Sequence, residues 1–515
     1  MDIEKNHISD RNKKILRLFL LILPYSSALY FFSFNTADPD LWGHIKFGHD
    51  LWITGKIPEF DIYSYTASGR EWINHEWFSE LIMYGVYNQS GSPGLLIVKL
   101  MIGITTLFIL TRIIIHRTFN PIAFSICLTL SAAIMSPGFM VRPQLITFLF
   151  AAYFLYVFHT YLEHNKNLLW SLPLIMILWV NSHGGFLIGA GLFPVVVLCE
   201  IIYCLLKRSN RRHLRSLIFW LILTEISLLI NPYGFHLLSF LYESLSISRG
   251  ISEWDSVRIL DLSYLRFKIL AILFMLSFFI NKKENRYWEV SIIALAMLYA
   301  FLHQRHTPIF AIIAAPFLTE KLTVLMSKTC LYGRVNSFFS FIIVNIAVVI
   351  LIGYQVLDVI SKHTKTNFNI VVDPNVYPVH AVSFLKENDI KGNILLPFEW
   401  GEYVIWKLYP ACKVSIDGRF RTVYPEKVLN DHFEAMRNGA KWIELLDKYP
   451  SDIFLVRRDI LPQDIIANMQ DWVYIYSDSL TRVFIKNGPA QREILKNLGK
   501  RELIYPEGEF SIYFP

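Results

Sequence analysis

Two carboxylates two residues apart open the most chemically suggestive stretch of the chain, Asp38-Pro39-Asp40-Leu41-Trp42-Gly43-His44. Asp38 and Asp40 at that spacing can hold a divalent cation, Mg2+ or Mn2+, against phosphate oxygens, or place one carboxylate as a general base toward a hydroxyl. The same pattern also suits a helix start, with Asp38 as the cap and Pro39 in the first turn. The segment runs on to Asn74-His75-Glu76-Trp77, so His44, His75 and Glu76 are further candidates for contacts to an acceptor. Arg142 follows Pro137-Gly138-Phe139-Met140-Val141, and its planar fork matches a phosphate. It equally fits an arginine that snorkels from a helix end. His183, beside Gly184 and Gly185, can meet a ligand at a turn or make an interhelical hydrogen bond. His303-Gln304-Arg305-His306 is compact and cationic, and Arg305 and His306 taken with Arg142 would make a pocket for an anionic headgroup. Gly250-Ile251-Ser252-Glu253-Trp254-Asp255, read alone, is a polar loop with two solvated acids. Pro397-Phe398-Glu399-Trp400-Gly401-Glu402-Tyr403 is an aromatic and acidic turn, suited to a binding ledge through Glu399 and Trp400 or to plain packing. No phosphate-binding Gly-rich loop with Lys-Ser/Thr, no His-Glu-x-x-His and no Gly-x-Ser-x-Gly occurs.

These residues need a membrane to position them. Of 515 residues 54% are hydrophobic and only 18% charged, too little charge to cover a soluble protein of this size. Mean hydropathy is +0.39. Aromatic residues at 15%, with ordinary Gly and Pro counts, exclude disorder and collagen-like repeats. The net charge of +7 does not indicate nucleic acid, because 20 Lys/Arg face 20 Asp/Glu from Ser361 onward. The excess lies among the apolar segments, where it reports topology. Five scattered cysteines offer neither a disulfide framework nor a Cys-x-x-Cys metal spacing.

Apolar runs cover residues 15–34, 95–115, 120–136, 143–162, 168–180, 184–206, 214–230, 267–281, 287–302, 307–319 and 337–357. The first is too long for a signal-peptide core and has no small-residue cleavage site, so it is expected to remain as a helix. Several are shorter than the roughly 20 residues a comfortable span needs, and the expectation is about eleven transmembrane helices. Lys and Arg concentrate in alternate loops, among them Lys13/Lys14, Arg112/Arg117, Lys207–Arg215 and Lys282/Lys283/Arg286. That places the N-terminus in the cytoplasm and, after an odd number of spans, the tail outside. Two outside pieces are long, the loop 35–94 and the tail 361–515. In the tail, helices over 379–387, 402–408 and 426–448 alternate with strands over 393–396, 413–416 and 453–456, followed by a helix and two short strands. This predicts a transmembrane domain over 1–360 and an extracytoplasmic α/β domain over 361–515. Most of the polar clusters fall on the outer side, where costly ionisable groups usually mark a site.

The arrangement resembles the GT-C superfamily of membrane glycosyltransferases, and within it the catalytic subunit of oligosaccharyltransferase. Asp38-Pro39 with Asp40 is similar to the family's first-loop acidic motif, which serves metal binding and catalysis. Pro137-Gly138-Phe139-x-x-Arg142 is similar to a segment before its second acidic motif. Ile251-Ser252-Glu253 is similar to the outer-loop motif that ends in a catalytic-site glutamate, with Gly250 in place of the usual Ser/Thr. Phe398-Glu399-Trp400-Gly401 falls where the family has Trp-Trp-Asp-Tyr-Gly, and Val414–Asp417 and Asp452–Val456 keep similar spacing. Pro397, Phe398 and Glu399 depart from the two tryptophans and the aspartate that grip an acceptor Ser/Thr, and Pro143-Gln144 stands where the second acidic motif would follow.

The resemblance implies a polytopic enzyme of the bacterial inner membrane, with its C-terminal domain periplasmic or extracellular. It would transfer a sugar from a polyprenyl-phosphate or polyprenyl-diphosphate donor to a glycan, lipid or protein acceptor, with inversion. Arg142, Arg305, His306 and His183 would hold the donor phosphate, and Asp38, Asp40 and Glu253 would be catalytic or bind a divalent cation. His44, His75, Glu76, Glu399 and Trp400 would contact the acceptor. No organic cofactor is implied. A true oligosaccharyltransferase and a non-catalytic carrier of lipid-linked sugars are the alternatives; a carrier usually keeps polar groups at mid-membrane and shows repeated halves.

Overall fold

Each of the eleven apolar runs carries a helix in the computed structural model, which describes residues 10–117, 119–207, 211–245, 252–280, 286–328, 338–460, 469, 471–489, 491–498 and 512–515. Gly250, Ile251, Lys282, Lys283 and Cys330 lie outside the described residues. Among those described, seven helices are long and apolar enough to cross a membrane: Lys14–Phe32, Trp77–Ile115, Pro121–Gly138, Gln144–His164, Phe186–Leu206, Gln304–Lys328 and Ile343–Lys365. Ser171–Val180 and Tyr287–Leu302 are shorter apolar helices. The chain is a multi-pass membrane protein. Two units divide it: residues 1–34, 96–236 and 248–367 form one, and 35–95, 237–247 and 368–515 the other.

The first unit is all helix. At its centre Thr307–Lys328 is buried without interruption from Thr307 to Lys321, because helices Pro121–Met135, Gln144–His164, Leu265–Ser277 and Tyr287–Leu302 pack around it. A helix apolar on every side belongs at such a centre. Peripheral helices instead expose Leu205, Leu206, Ile350 and Leu357, the pattern lipid-facing rows show. One end of the bundle holds a buried ionic network. Arg117 pairs with Glu289 at 2.8 Å and Glu320 at 3.3 Å and donates to His159 Nδ1 at 3.0 Å. Arg286 meets Glu163 at 2.8 Å and Glu320 at 2.9 Å. Buried charges persist only when paired in this way.

The second unit is α/β. Helix Trp77–Ile115 is broken at Gly91, whose φ of 61° and ψ of −160° are non-helical, close to where the chain passes from one unit to the other. The strands are β1 (Val371–Val372), β2 (Gly392–Leu395), β3 (Cys412–Val414), β4 (Ile453–Arg457), β5 (Trp472–Ser477), β6 (Thr481–Lys486) and β7 (Ile512–Tyr513). Five form one sheet in the order β3-β2-β4-β6-β5, with β2 parallel to β3 and β4, and β6 antiparallel to β4 and β5. Ile453–Val456 on β4 is apolar throughout and buried throughout, as a strand covered on both faces must be. The edge of β3 is covered by the first loop: Tyr65 N–H donates to the Val414 carbonyl at 3.1 Å, and Val414 N–H to that of Tyr63 at 3.2 Å. Covering an edge this way blocks stray pairing. The single helix expected over 426–448 is two, Glu426–Arg437 and Lys441–Lys448. Asn438 turns extended between them, and its side chain accepts the Ala440 N–H at 3.2 Å to start the second helix. The helix expected after β4 falls largely on residues outside the described ones, and β5 and β6 follow as a hairpin.

Candidate functional site

The loop 35–94 is not irregular throughout. It contains helix Leu41–Thr54, which packs against helix Gly401–Leu408 of the tail, so the two pieces build one structure. Trp42 is fully buried there, edge-on to Tyr377 at 4.6 Å and to Tyr403 at 5.0 Å. Asp38 is buried, and its carboxylate accepts the Asp40 N–H at 3.1 Å while its carbonyl accepts that of Leu41 at 3.1 Å. Asp38 therefore shapes the turn before the helix but does not cap it: the helix begins at Leu41 with Asp40 in the cap position, not at Pro39 with Asp38 as the cap. The Asp40 side chain makes no cap bond and is half-buried at the helix start.

Beside Asp40 lies Glu402, which nothing in its sequence context marks out as a site residue. Glu402 is buried and accepts the Gly43 N–H at 3.0 Å. A methyl at Gly43 would stand 2.2 Å from its carboxyl carbon, and one at Gly418 would stand 2.5 Å from Glu402 Oε1 and 2.6 Å from Asp40 Oδ1. A side chain at either glycine would therefore force these carboxylates to shift. Burial, and then the charges of Asp40 and Asp417, hold the Glu402 carboxyl well above its ordinary value of 4.5.

Glu402 therefore keeps its proton in the folded state at pH values where the unfolded chain has lost it, and stability falls as pH rises above 4.5 toward the folded value. The neutral isostere Glu402→Gln is expected to melt above the wild type at pH 8, with the gap closing as pH falls toward 4.5. Thermal unfolding at fixed scan rate in detergent measures it; a gap that does not depend on pH would refute the assignment.

His44, on the same helix, faces two glutamates: its Nδ1 is 3.3 Å from Glu80 Oε1 and 3.9 Å from Glu76 Oε2. Burial pulls the imidazole down, but the Glu80 hydrogen bond and the charges of Glu76, Glu80 and Asp40 outweigh it and hold His44 above its ordinary value. The three donor atoms lie within 4.8 Å of one another. His75 Nε2 stands 3.9 Å from Glu76 Oε1. Trp400 is not a ledge: it is fully buried and its indole N–H donates to the Val376 carbonyl at 2.9 Å, because the turn after β2 must fill the core before helix Gly401–Leu408. Glu399, half-buried, is raised by burial.

The helical unit gathers the cationic candidates. Arg142 precedes helix Gln144–His164 and donates to Glu253 Oε1 at 3.4 Å. The turn Ser252–Trp254 is docked on the turn Gln304–His306: Arg305 lies over the Trp254 ring at 4.6 Å, and His303 Nδ1 is 2.9 Å from the Trp254 carbonyl. Gln304 N–H donates to the Asp255 carbonyl at 3.0 Å. Arg142 and Arg305 thus both contact the turn Ser252–Trp254, Arg142 through Glu253 and Arg305 through the Trp254 ring, and His306 follows Arg305 in the turn docked on it. His183 is engaged otherwise. Its Nδ1 accepts the Gly185 N–H at 2.9 Å and lies 2.8 Å from Thr147 Oγ1, which also accepts the Trp179 indole N–H at 2.9 Å. That is the interhelical bond of the plainer reading.

Sequence comparison finds no matching family model and no matching curated protein. Comparison of folds does find likenesses. Over 93% of this chain and 74% of its own, the archaeal oligosaccharyltransferase AglB from Archaeoglobus fulgidus, in complex with an inhibitory peptide and a dolichol-phosphate, aligns at TM-score 0.55 and 11% identity. ArnT from Cupriavidus metallidurans in the apo state aligns at 0.51 and 12% over 94% of this chain and 99% of its own. The mycobacterial arabinofuranosyltransferase AftD aligns at 0.51 and 11%, over 95% of this chain but 40% of its own. At such identities the likeness is one of fold alone, and the chain shares the polytopic membrane fold of these solved structures.

Proposed function

We propose that the chain is a glycosyltransferase that takes a sugar from a polyprenyl-phosphate or polyprenyl-diphosphate donor and gives it to a glycan, lipid or protein acceptor. The observation that carries this reading is the loop pair of the helical unit, where Arg142 and Arg305 are brought together with Glu253, Trp254 and His306 inside a fold of the GT-C kind. Arg142 and Arg305 bind the donor phosphate, with His306 beside them. The acceptor oxygen attacks the anomeric carbon as the bond from that carbon to the lipid phosphate breaks, so configuration inverts. The hydroxyl proton passes to Asp40, and the leaving phosphate takes the electron pair under the field of the two arginines. Asp38 fixes the turn that presents Asp40. His44, His75, Glu76 and Glu399 contact the acceptor.

About eleven crossings, a cytoplasmic N-terminus, the division near residue 360, and an outer tail in a bacterial inner membrane complete the reading. If a cation takes part, Asp38 and Asp40 are its first-loop candidates. Glu253 is held by Arg142 in the helical unit.

The test is a transfer assay with purified protein in nanodiscs, offered a panel of polyprenyl-phosphate and -diphosphate sugars and mixed acceptors, with and without chelator. Turnover of a donor supports the reading, and donor binding without turnover across the panel would sink it. Arg142→Ala is expected to weaken donor binding by about 1.5–3 kcal/mol, roughly ten- to hundred-fold, since one charge-assisted contact to phosphate is lost. Equilibrium binding of a labelled donor reads this; unchanged affinity would leave Arg142 as a helix-end residue.

A further inference from the structure

We propose that His44, Glu76 and Glu80 form a binding site for one divalent transition-metal ion, of the Zn2+, Mn2+ or Co2+ class, distinct from the Asp38/Asp40 pair. The three residues come from two helices. Glu76 and Glu80 are four apart at the start of helix Trp77–Ile115, where the Glu80 N–H donates to the Glu76 carbonyl at 3.0 Å, so both carboxylates share one face. His44 comes from the first turn of helix Leu41–Thr54 and presents its Nδ1 to both.

The spacing suits a small dication. Ligand bonds of about 2.0–2.1 Å put the edge of a tetrahedron near 3.3 Å. The His44–Glu80 distance is 3.3 Å already, His44–Glu76 is 3.9 Å and all three donor atoms lie within 4.8 Å of one another, so the half-buried Glu76 has to turn inward to complete the set. The second oxygen of Glu80 is oriented from behind, accepting the Asn74 side-chain N–H at 2.6 Å, the outer-shell support that ligating carboxylates need. His75 Nε2, 3.9 Å from the other Glu76 oxygen, is too far for a hydrogen bond, so this support is shown for Glu80 alone. One imidazole with two carboxylates favours Zn2+, Mn2+ or Co2+ over Mg2+ or Ca2+, which prefer oxygen alone. Three protein ligands leave a position for water or a substrate oxygen. The competing account is a plain ion pair in which a protonated His44 is shared by two glutamates and takes no metal.

Co2+ is the probe, because a bound tetrahedral or five-coordinate ion has visible absorption bands that the aqueous ion lacks. The purified full chain, stripped with chelator, is titrated with Co2+ and then challenged with Zn2+. One equivalent should bind with such bands and be displaced by Zn2+. Glu76→Gln and His44→Gln should each weaken binding tenfold or more, while Asp255→Asn, in the helical unit, should leave it intact. Absence of the bands, or binding that survives both Glu76→Gln and His44→Gln, overturns the site. Glu76 is only half-buried, so Glu76→Gln should fold, and its metal-free melting temperature should match the wild type; the rise in melting temperature on adding Zn2+ should be present in the wild type and missing in the variant. The site does not rest on sugar transfer. Metal binding without transfer would count against the enzyme reading alone, and chelator-resistant transfer with no Co2+ binding would count against the site alone.

Discussion

Replacing Arg419 by methionine is expected to destabilise the α/β unit by about 3–5 kcal/mol, the range seen when one partner of a buried ion pair is removed. The guanidinium is buried and used on both sides. It donates to Asp417 through Nε at 2.8 Å and Nη2 at 2.7 Å, and to Asp61 through Nη1 at 2.6 Å. Tyr424 donates its hydroxyl to the same Asp417 carboxylate, and Ser64 to that of Asp61. Phe47, Tyr63 and Trp72 ring the cation at 5.4, 5.1 and 4.9 Å. Methionine would keep much of the volume and leave two buried carboxylates facing each other with no cation between them. Limited proteolysis between residues 55 and 72, together with the melting temperature, should report the loss. The triple change Asp61→Asn, Asp417→Asn, Arg419→Met should recover part of it, because the uncompensated charge is gone. A single variant as stable as the wild type would mean that these ion pairs contribute nothing net.

Asp40→Asn is expected to lower the transfer rate by about 10²–10⁴, the usual range for a lost general base, with donor affinity unchanged within about twofold. Asparagine has the shape of aspartate and leaves the backbone turn in place, since the carboxylate that accepts a hydrogen bond in that turn belongs to Asp38. It cannot take a proton. The split between rate and binding is the useful readout: a structural role would lower both, and a base lowers the rate alone. Full turnover in Asp40→Asn would remove the aspartate from the chemistry and reopen the carrier reading.

The apolar runs were legible because membrane helices are written in composition and length, which need no partner to be read. The tail's α/β alternation was legible for a similar reason, in that β4 is a short apolar run between polar turns. The joint between the first loop and the tail was not. Asp61, Glu402, Asp417 and Arg419 look like ordinary surface charges in sequence, and only long-range pairing turns them into a core. The same holds for Arg117 and Arg286, which read as loop charges that set topology and prove to be the cationic half of a buried network. Glu80 carried a faint signal, four residues after Glu76, but its His44 partner lies on another helix. Trp400 misled because a tryptophan beside acids fits a ledge and a core equally well until its burial is known.

The Asp61–Arg419 contact spans 358 positions. At a synthesis rate of about 5–20 residues per second, the first half of this joint waits roughly 20–70 s for the second to be made. During that interval the segment holding Trp42, Phe47, Tyr63 and Trp72 has left the ribosome without the tail that buries it. Newly made chains should therefore pass through a stage in which these aromatic residues are open to chaperones and proteases, and truncations ending before Arg419 should be cleared from the membrane rather than accumulate.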